Sequence, residues 1–156
     1  MVFAVAFAVM LPLLLSGCGA QTPEAAVTNF YKAQSVGDLN ALLASVLPEN
    51  VRRMTDTDLV NVKKQVSTSQ IKAQGLQFKT IPDKSDPNKA DVQIVNGVLT
   101  AKDPSTGQTQ RITIAQYKKQ TGKYPSYATE KYKGSWYVNI PLASADQPTQ
   151  STPQQQ

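Results

Sequence analysis

The chain has 156 residues, which is enough for one domain and too short for two comfortable ones. It contains no histidine and a single cysteine, so an intramolecular disulfide and metal sites built on imidazole or on several thiolates are excluded, although an all-oxygen calcium or magnesium site is not. The net charge of +5 is unevenly distributed, because six basic residues and one acidic residue lie between Arg111 and Lys133.

The beginning of the chain is typical of an export signal. Residues 2–15 are uncharged and almost wholly apolar, whereas a membrane-spanning helix needs about 20 apolar residues. The sequence Leu-Ser-Gly-Cys at residues 15–18 resembles the lipobox of bacterial lipoproteins. This resemblance implies cleavage between Gly17 and Cys18 and acylation of Cys18, whose thiolate is the nucleophile that accepts the lipid. We therefore expect a lipoprotein signal peptide over residues 1–17.

Helical patterns begin after a short lipidated tether, which we expect over residues 18–22. Pro23 takes the first position of a predicted helix that ends at Gly37. Asp38 caps a second predicted helix, whose apolar residues recur at the helical spacing: Leu39, Leu42, Leu43, Val46 and Leu47. A further helix is predicted over residues 55–69, where apolar residues again share one face.

Beyond Gln70 the apolar spacing changes from helical to alternating, which predicts strands. A bulge is favoured over a hairpin turn at Asn96-Gly97, because residues 103–107 form a better turn soon afterwards. We expect a loop around residues 121–126 and a final hairpin across Lys133-Gly134. The predicted strands lie around residues 76–80, 92–98, 111–115, 127–132 and 135–140.

Helices followed by an antiparallel sheet predict an α+β fold, with the N-terminal helices packed on a curved sheet. The folded domain is expected over residues 23–142. Residues 143–156 consist largely of Gln, Pro, Ser and Thr and have no periodic apolar pattern. We expect this tail to be disordered, because it cannot bury enough surface to offset its ordering entropy.

Several residues resemble nuclear transport factor 2-like proteins, and most closely the small bacterial lipoproteins of unknown function with that fold. The matching residues are Thr22 to Val27, Phe30-Tyr31, Gly37-Asp38-Leu39 and Leu42-Leu43 in the helices, and Gly134 to Val138 near the end. The resemblance covers about residues 22–141 and implies a cone-shaped sheet around a long helix, with a pocket at its open end. It also implies that a homodimer is possible. It implies no reaction, because such folds host both enzymes and binding modules.

Few residues offer catalytic chemistry. The commonest general base is absent, and acylation of Cys18 leaves no free thiol, so we expect no enzyme, no cofactor and no metal. A small pocket enzyme that uses carboxylate and tyrosine chemistry is the alternative, with Asp91 or Tyr31 as candidates. A surface position for Asp91 and a core position for Tyr31 are favoured. Asp56 and Asp58 fit helix capping better than a calcium loop.

Five of the six tyrosines and the single tryptophan lie in this basic region or within four residues of its end. Aromatic faces beside cations could hold an envelope glycan, an anionic lipid headgroup or an acidic protein partner. The favoured interpretation is that the tyrosines pair across strands while the lysines solvate the outer side of the sheet. The candidate binding residues are Tyr117, Lys123, Tyr124, Tyr127, Lys131, Tyr132, Lys133 and Trp136.

These features together predict a non-enzymatic binding domain, held by the lipid on Cys18 at the extracytoplasmic face of the cell membrane or outer membrane. The expected partners are the membrane and an unidentified envelope ligand, whereas nucleic acid is not expected at an exported location. A third possibility is an envelope scaffold that docks the basic aromatic hairpin on glycan or on anionic lipid.

Overall fold

The computed structural model of the protein describes residues 19–103 and 105–142. The predicted signal peptide, Cys18 and the predicted disordered tail, residues 143–156, lie outside these described residues. Within them the helices are α1 (Pro23–Val36), α2 (Leu39–Ser45), α3 (Pro48–Arg52), α4 (Asp56–Ser69) and α5 (Ile114–Thr121). The strands are β1 (Lys72–Pro82), β2 (Lys89–Lys102), β3 (Thr109–Thr113), β4 (Ser126–Tyr132) and β5 (Ser135–Val138). No helix in this part of the chain is both long enough and apolar enough to cross a membrane.

The predicted α+β fold is confirmed: helices come first, and a strongly curled antiparallel sheet forms a half-barrel beneath them. The long strand β2 pairs along one edge with β1, while its other edge pairs with β4 near its beginning and with β3 near its end. The strand order is β1-β2-β4-β5, with β3 beside β2. The sheet therefore has β1 and β5 at its two ends.

Local signals begin and end α1, and begin α4, as predicted. The Thr22 hydroxyl accepts a hydrogen bond from the Ala25 N–H at 3.2 Å, and Gly37 ends α1 in the left-handed conformation with a φ of 72°. Thr55 and Asp58 form a capping box at the beginning of α4. These caps satisfy backbone donors that the first helical turn leaves without an intrahelical partner.

The second helix is shorter than predicted. α2 ends at Ser45, and Val46 is extended and forms a parallel bridge with Val138. The Leu47 N–H donates to the Val138 carbonyl at 2.9 Å. Both residues are buried, as their apolar pattern requires, but they are buried against β5 rather than on the face of a helix.

The predicted bulge at Asn96-Gly97 is confirmed. The pairing of β1 with β2 changes register between Gln74 and Gln77, opposite Gly97, and shifts again between Gln77 and Phe78. Gly97 leaves no room for a side chain, because an added Cβ would lie 2.8 Å from the Leu76 side chain. Bulges increase the local twist, which bends these two long strands and helps to curl the sheet.

The strand predicted over residues 111–115 is wrong at its C-terminal end. β3 ends at Thr113, and residues from Ile114 form α5 instead of a strand that leads into a loop. Thr113 and Gln116 form a capping box, and Gly122 ends the helix with a φ of 77°. The spacing of Ile112 and Ile114 fits a strand as well, and this apolar alternation concealed the helix signals.

The core lies between α1 and the concave face of the sheet. Its largest fully buried side chains come from several elements: Val27, Val46, Val92, Ile94, Ile114, Thr129 and Val138. The predicted β4–β5 hairpin is also confirmed, with Lys133 and Gly134 both at positive φ in its two-residue turn. This hairpin includes Lys131 and Lys133, which belong to the basic region.

Candidate functional site

Tyr31, a candidate for pocket chemistry, lies in the interior and pairs with a second tyrosine. The hydroxyl oxygens of Tyr31 on α1 and Tyr127 on β4 lie 2.6 Å apart, and their rings meet edge to face at 5.7 Å between centroids. The Phe30 ring contacts both tyrosine rings. The sheet register directs Tyr127 inward, because it pairs with the fully buried Val92.

Burial determines the ionisation of this pair. Loss of solvent raises the pKa of Tyr31, and its neighbour Tyr127 raises it further. Burial also raises the pKa of Tyr127, although the hydrogen bond with Tyr31 acts in the opposite direction. Both hydroxyls are therefore protonated at neutral pH, and neither provides the phenolate that a general base would need.

Carboxylates near the core have structural contacts. Asp58 is buried, and both the backbone N–H and the hydroxyl of Thr55 donate to it, at 2.8 and 2.7 Å. The Thr80 hydroxyl donates to the Glu24 carboxylate and lowers its pKa. Asp91 is exposed on β2, as expected of a surface carboxylate. Among residues 19–103 and 105–142, no cluster of three or more acidic or thiol side chains could hold a metal ion.

The buried hydroxyl groups in the core also bond to the backbone. Ser45 donates to the Leu42 carbonyl at 2.6 Å, and Thr129 donates to the Ala90 carbonyl at 2.8 Å. Hydrogen bonding of this kind offsets the cost of burying a polar group. These contacts give Ser45 and Thr129 a structural role at the helix end and in the sheet.

The segment that follows Cys18 is packed against the sheet. Ala20 forms an antiparallel bridge with Trp136 on β5, through hydrogen bonds of 3.3 and 2.8 Å, and is only 6% exposed. Gly19 lies so close to β5 that an added Cβ would be 2.0 Å from the Ser135 Cβ and 3.0 Å from the Tyr137 hydroxyl. The predicted tether is therefore fixed to the domain from Gly19 onwards.

Two open grooves adjoin β5, one lined by Tyr137 and the other by Trp136. The α2–β5 cleft, with a volume of about 440 Å³, is mostly apolar and is lined by Leu43, Ala44, Val46, Pro48, Val51, Arg52 and Tyr137. The α1–α2 groove, of about 370 Å³, includes Ala20 and Trp136 at one end and Lys32 and Asp38 among its polar residues. Sequence reasoning missed both grooves, because they depend on how β5 packs beside the helices.

Two lysine–tyrosine pairs lie within the basic region. The Lys118 ammonium is 4.2 Å from the centre of the Tyr124 ring, and the Lys133 ammonium is 5.4 Å from the centre of the Tyr132 ring. Such contacts favour the cation by about 0.5–1 kcal/mol at exposed sites. The pairs lie near opposite ends of β4, which spans about 20 Å at the usual rise per residue. They are therefore separate surface features.

The other candidate binding residues are distributed among different parts of the fold. Tyr127 is directed into the core, and Trp136 pairs with Ala20. Lys131 is exposed on β4 and pairs in register with Trp136. Tyr117 is half-buried on α5, and Lys123 is exposed just after that helix. The structure brings some of these residues together in pairs and does not collect all eight on one surface.

Structural comparison connects this arrangement to one known fold. The chain is similar to the solution structure of a SEC-C motif containing protein from Rhodopseudomonas palustris, with 14% sequence identity, a TM-score of 0.51 and 78% of each chain covered. The shared feature is the fold. No protein family model matches the chain, and no curated protein matches it in sequence.

The expected membership of the nuclear transport factor 2-like family is wrong. The structural match is to a SEC-C motif containing protein, and no comparison supports either that family or its lipoprotein members. The residues behind the resemblance, such as Pro23 and Gly37-Asp38, begin and end helices in many folds. They predicted the helix boundaries correctly but did not distinguish one family from another.

Proposed function

We propose that the chain is a lipid-anchored, non-enzymatic binding domain at the extracytoplasmic face of the cell envelope. The contact between Tyr31 and Tyr127 is the main support for this proposal. It places two protonated, mutually bonded hydroxyls where a pocket enzyme would need a reactive group. Asp58 and Glu24 bond instead to residues that hold the helices in place.

The proposed anchor is a lipid on Cys18. It is argued from the sequence of residues 1–18 alone: an apolar run of signal-peptide length followed by Leu-Ser-Gly-Cys. Two or three acyl chains make membrane attachment stable, whereas one chain holds a protein only weakly. The domain would thus be concentrated at the membrane surface, where even a weak affinity for an envelope component becomes effective.

A second candidate function is an envelope scaffold that binds anionic polymers or lipids. The Lys133–Tyr132 pair at the tip of the β4–β5 hairpin favours it, together with the exposed Lys131 on the same hairpin. An aromatic face beside cations suits a sugar ring that carries acidic groups. Reversing Lys131 and Lys133 to Glu should then abolish co-sedimentation with peptidoglycan sacculi, and unchanged binding would eliminate this version.

The proposal is tested by separating binding from turnover. The native chain and Tyr31→Phe are incubated with envelope extracts, and both retained molecules and chemically altered small molecules are measured by mass spectrometry. A binding domain should retain the same envelope component in both proteins and should produce no new small molecule. Turnover by the native chain that disappears in a folded Tyr31→Phe protein would contradict the proposal, because it would assign chemistry to the buried hydroxyl.

A further inference from the structure

We propose that the domain lies directly on the bilayer, with the α2–β5 cleft and α3 facing an anionic lipid surface. This inference rests on the proposed lipid anchor at Cys18 and goes beyond it, because an anchor alone does not orient a protein. The occupant of the cleft is the headgroup region of the membrane that holds the anchor. The supporting observations are the docking of Gly19 and Ala20, the composition of the cleft and the charges around it.

Docking removes most of the freedom that a tether would provide. A free linker over residues 18–22 would reach up to about 17 Å, at 3.3–3.6 Å per residue. The bridge between Ala20 and Trp136 leaves only two residues, or about 7 Å, between the lipid attachment point and the sheet. Gly19 is itself packed against Ser135, so even this short connection is restricted. The surface around Gly19 is therefore held close to the lipid.

One surface beside Gly19 is suited to a membrane interface. The Tyr137 hydroxyl is close to Gly19, and Tyr137 also lines the α2–β5 cleft with Leu43 and Val51. Tyrosine and tryptophan favour the headgroup level, because one end of each side chain is apolar and the other is polar. The cleft thus combines apolar side chains with the polar tip of an aromatic side chain beside Gly19.

The charges on α3 complement an anionic surface. Arg52 lines the cleft, and Arg53 ends α3 beside it; the acidic residues nearby are Glu49 on that helix and Glu130, which pairs in register with Tyr137 and accepts a hydrogen bond from Asn139. Both arginines are exposed. Basic residues next to a membrane anchor are attracted to anionic lipids within a Debye length of the surface. This attraction would hold the α3 side of the domain against the bilayer surface.

The opposite end of the sheet provides the control surface. β1 and β5 are the two ends of the strand order, so the exposed Ile81 on β1 is separated from β5 by β2 and β4. Because the chain has one cysteine, an acylated protein with an engineered cysteine carries a single reactive thiol. Glu49→Cys on α3 and Ile81→Cys on β1 can therefore each be labelled with a fluorophore at one position.

The experiment measures quenching of each fluorophore by lipids that carry a nitroxide on the headgroup, in vesicles that contain phosphatidylglycerol. We expect several-fold stronger quenching at Glu49→Cys than at Ile81→Cys. Gly19→Val should reduce this difference, because its side chain cannot fit beside Ser135 and would release the segment. Gln21→Val is the matched control, because it places the same valine side chain at an exposed position nearby and should preserve the difference.

The outcomes distinguish the orientation from the anchor. Equal quenching at both positions, or stronger quenching at Ile81→Cys, would overturn the proposed orientation while leaving the anchor intact. An unchanged difference in Gly19→Val would overturn docking as its cause. The parent chain without an engineered cysteine should take no thiol label, since its thiol is consumed by the lipid. Labelling of that membrane-purified parent would overturn the proposed function itself.

Discussion

Replacing Tyr31 and Tyr127 together with Phe should lower the free energy of unfolding by less than the sum of the two single replacements. A buried hydrogen bond contributes about 0.5–1.5 kcal/mol net, whereas a buried hydroxyl left without a partner costs about 1–3 kcal/mol. Tyr31→Phe and Tyr127→Phe should each be destabilising, because each leaves the hydroxyl of the other tyrosine without its partner.

The assay is urea unfolding of the native chain, the two single variants and the double variant, followed by the fluorescence of the single tryptophan, Trp136. We expect the double variant to lose at least about 1 kcal/mol less than the sum of the two single variants. Tyr132→Phe is the control for loss of a tyrosine hydroxyl at the surface. Additive losses, with no coupling between the two positions, would refute the argument that the hydroxyls satisfy each other.

Three further predictions concern stability. The pKa of both Tyr31 and Tyr127 is raised on folding, so the protonated pair stabilises the fold fully below the ordinary tyrosine pKa of about 10 and loses this effect as the pH rises above it. The free energy of unfolding in urea should therefore fall less steeply at alkaline pH in the double phenylalanine variant than in the native chain. An equal fall in both proteins would contradict this. Thr55→Ala should cost about 1 kcal/mol by removing the cap of α4, measured by thermal unfolding. Ile94→Ala should cost about 2–5 kcal/mol in urea, whereas Ile81→Ala on the exposed end of β1 should cost far less.

The sequence predicts the elements whose boundaries depend on local chemistry. Thr22 and Gly37 enclose α1, and the turn at Lys133-Gly134 joins β4 to β5, as their residue types indicate. Each of these signals acts over a few neighbouring residues. The bulge at Gly97 could be predicted for the same reason, since glycine in a strand indicates a kink or a close backbone approach.

The features that sequence reasoning missed depend on contacts between distant parts of the chain. Val46 is extended rather than helical because it forms a β-bridge with Val138. Ala20 is fixed to the domain because it forms a β-bridge with Trp136. An apolar residue is buried both on a helix face and in a β-bridge, so its residue type does not predict which of the two it adopts. The partnership of Tyr31 with Tyr127, 96 residues apart, could be expected only as burial of each tyrosine separately.

α5 shows a different limit of sequence reasoning. Its capping residues, Thr113 and Gln116, and its terminating Gly122 are all readable. The alternation of Ile112 with Ile114 is also readable and favours a strand that ends later. Two valid local patterns overlap there, and the burial of Ile114 in the core is decided by the rest of the fold.

The most direct test of the proposed lipid-anchored domain is the intact mass of the protein purified from bacterial membranes after expression of the full chain. We expect a mature chain that begins at Cys18 and carries the added mass of a diacylglyceryl group and an acyl chain. A chain that retains residues 1–17 and has an unmodified Cys18 thiol would contradict it.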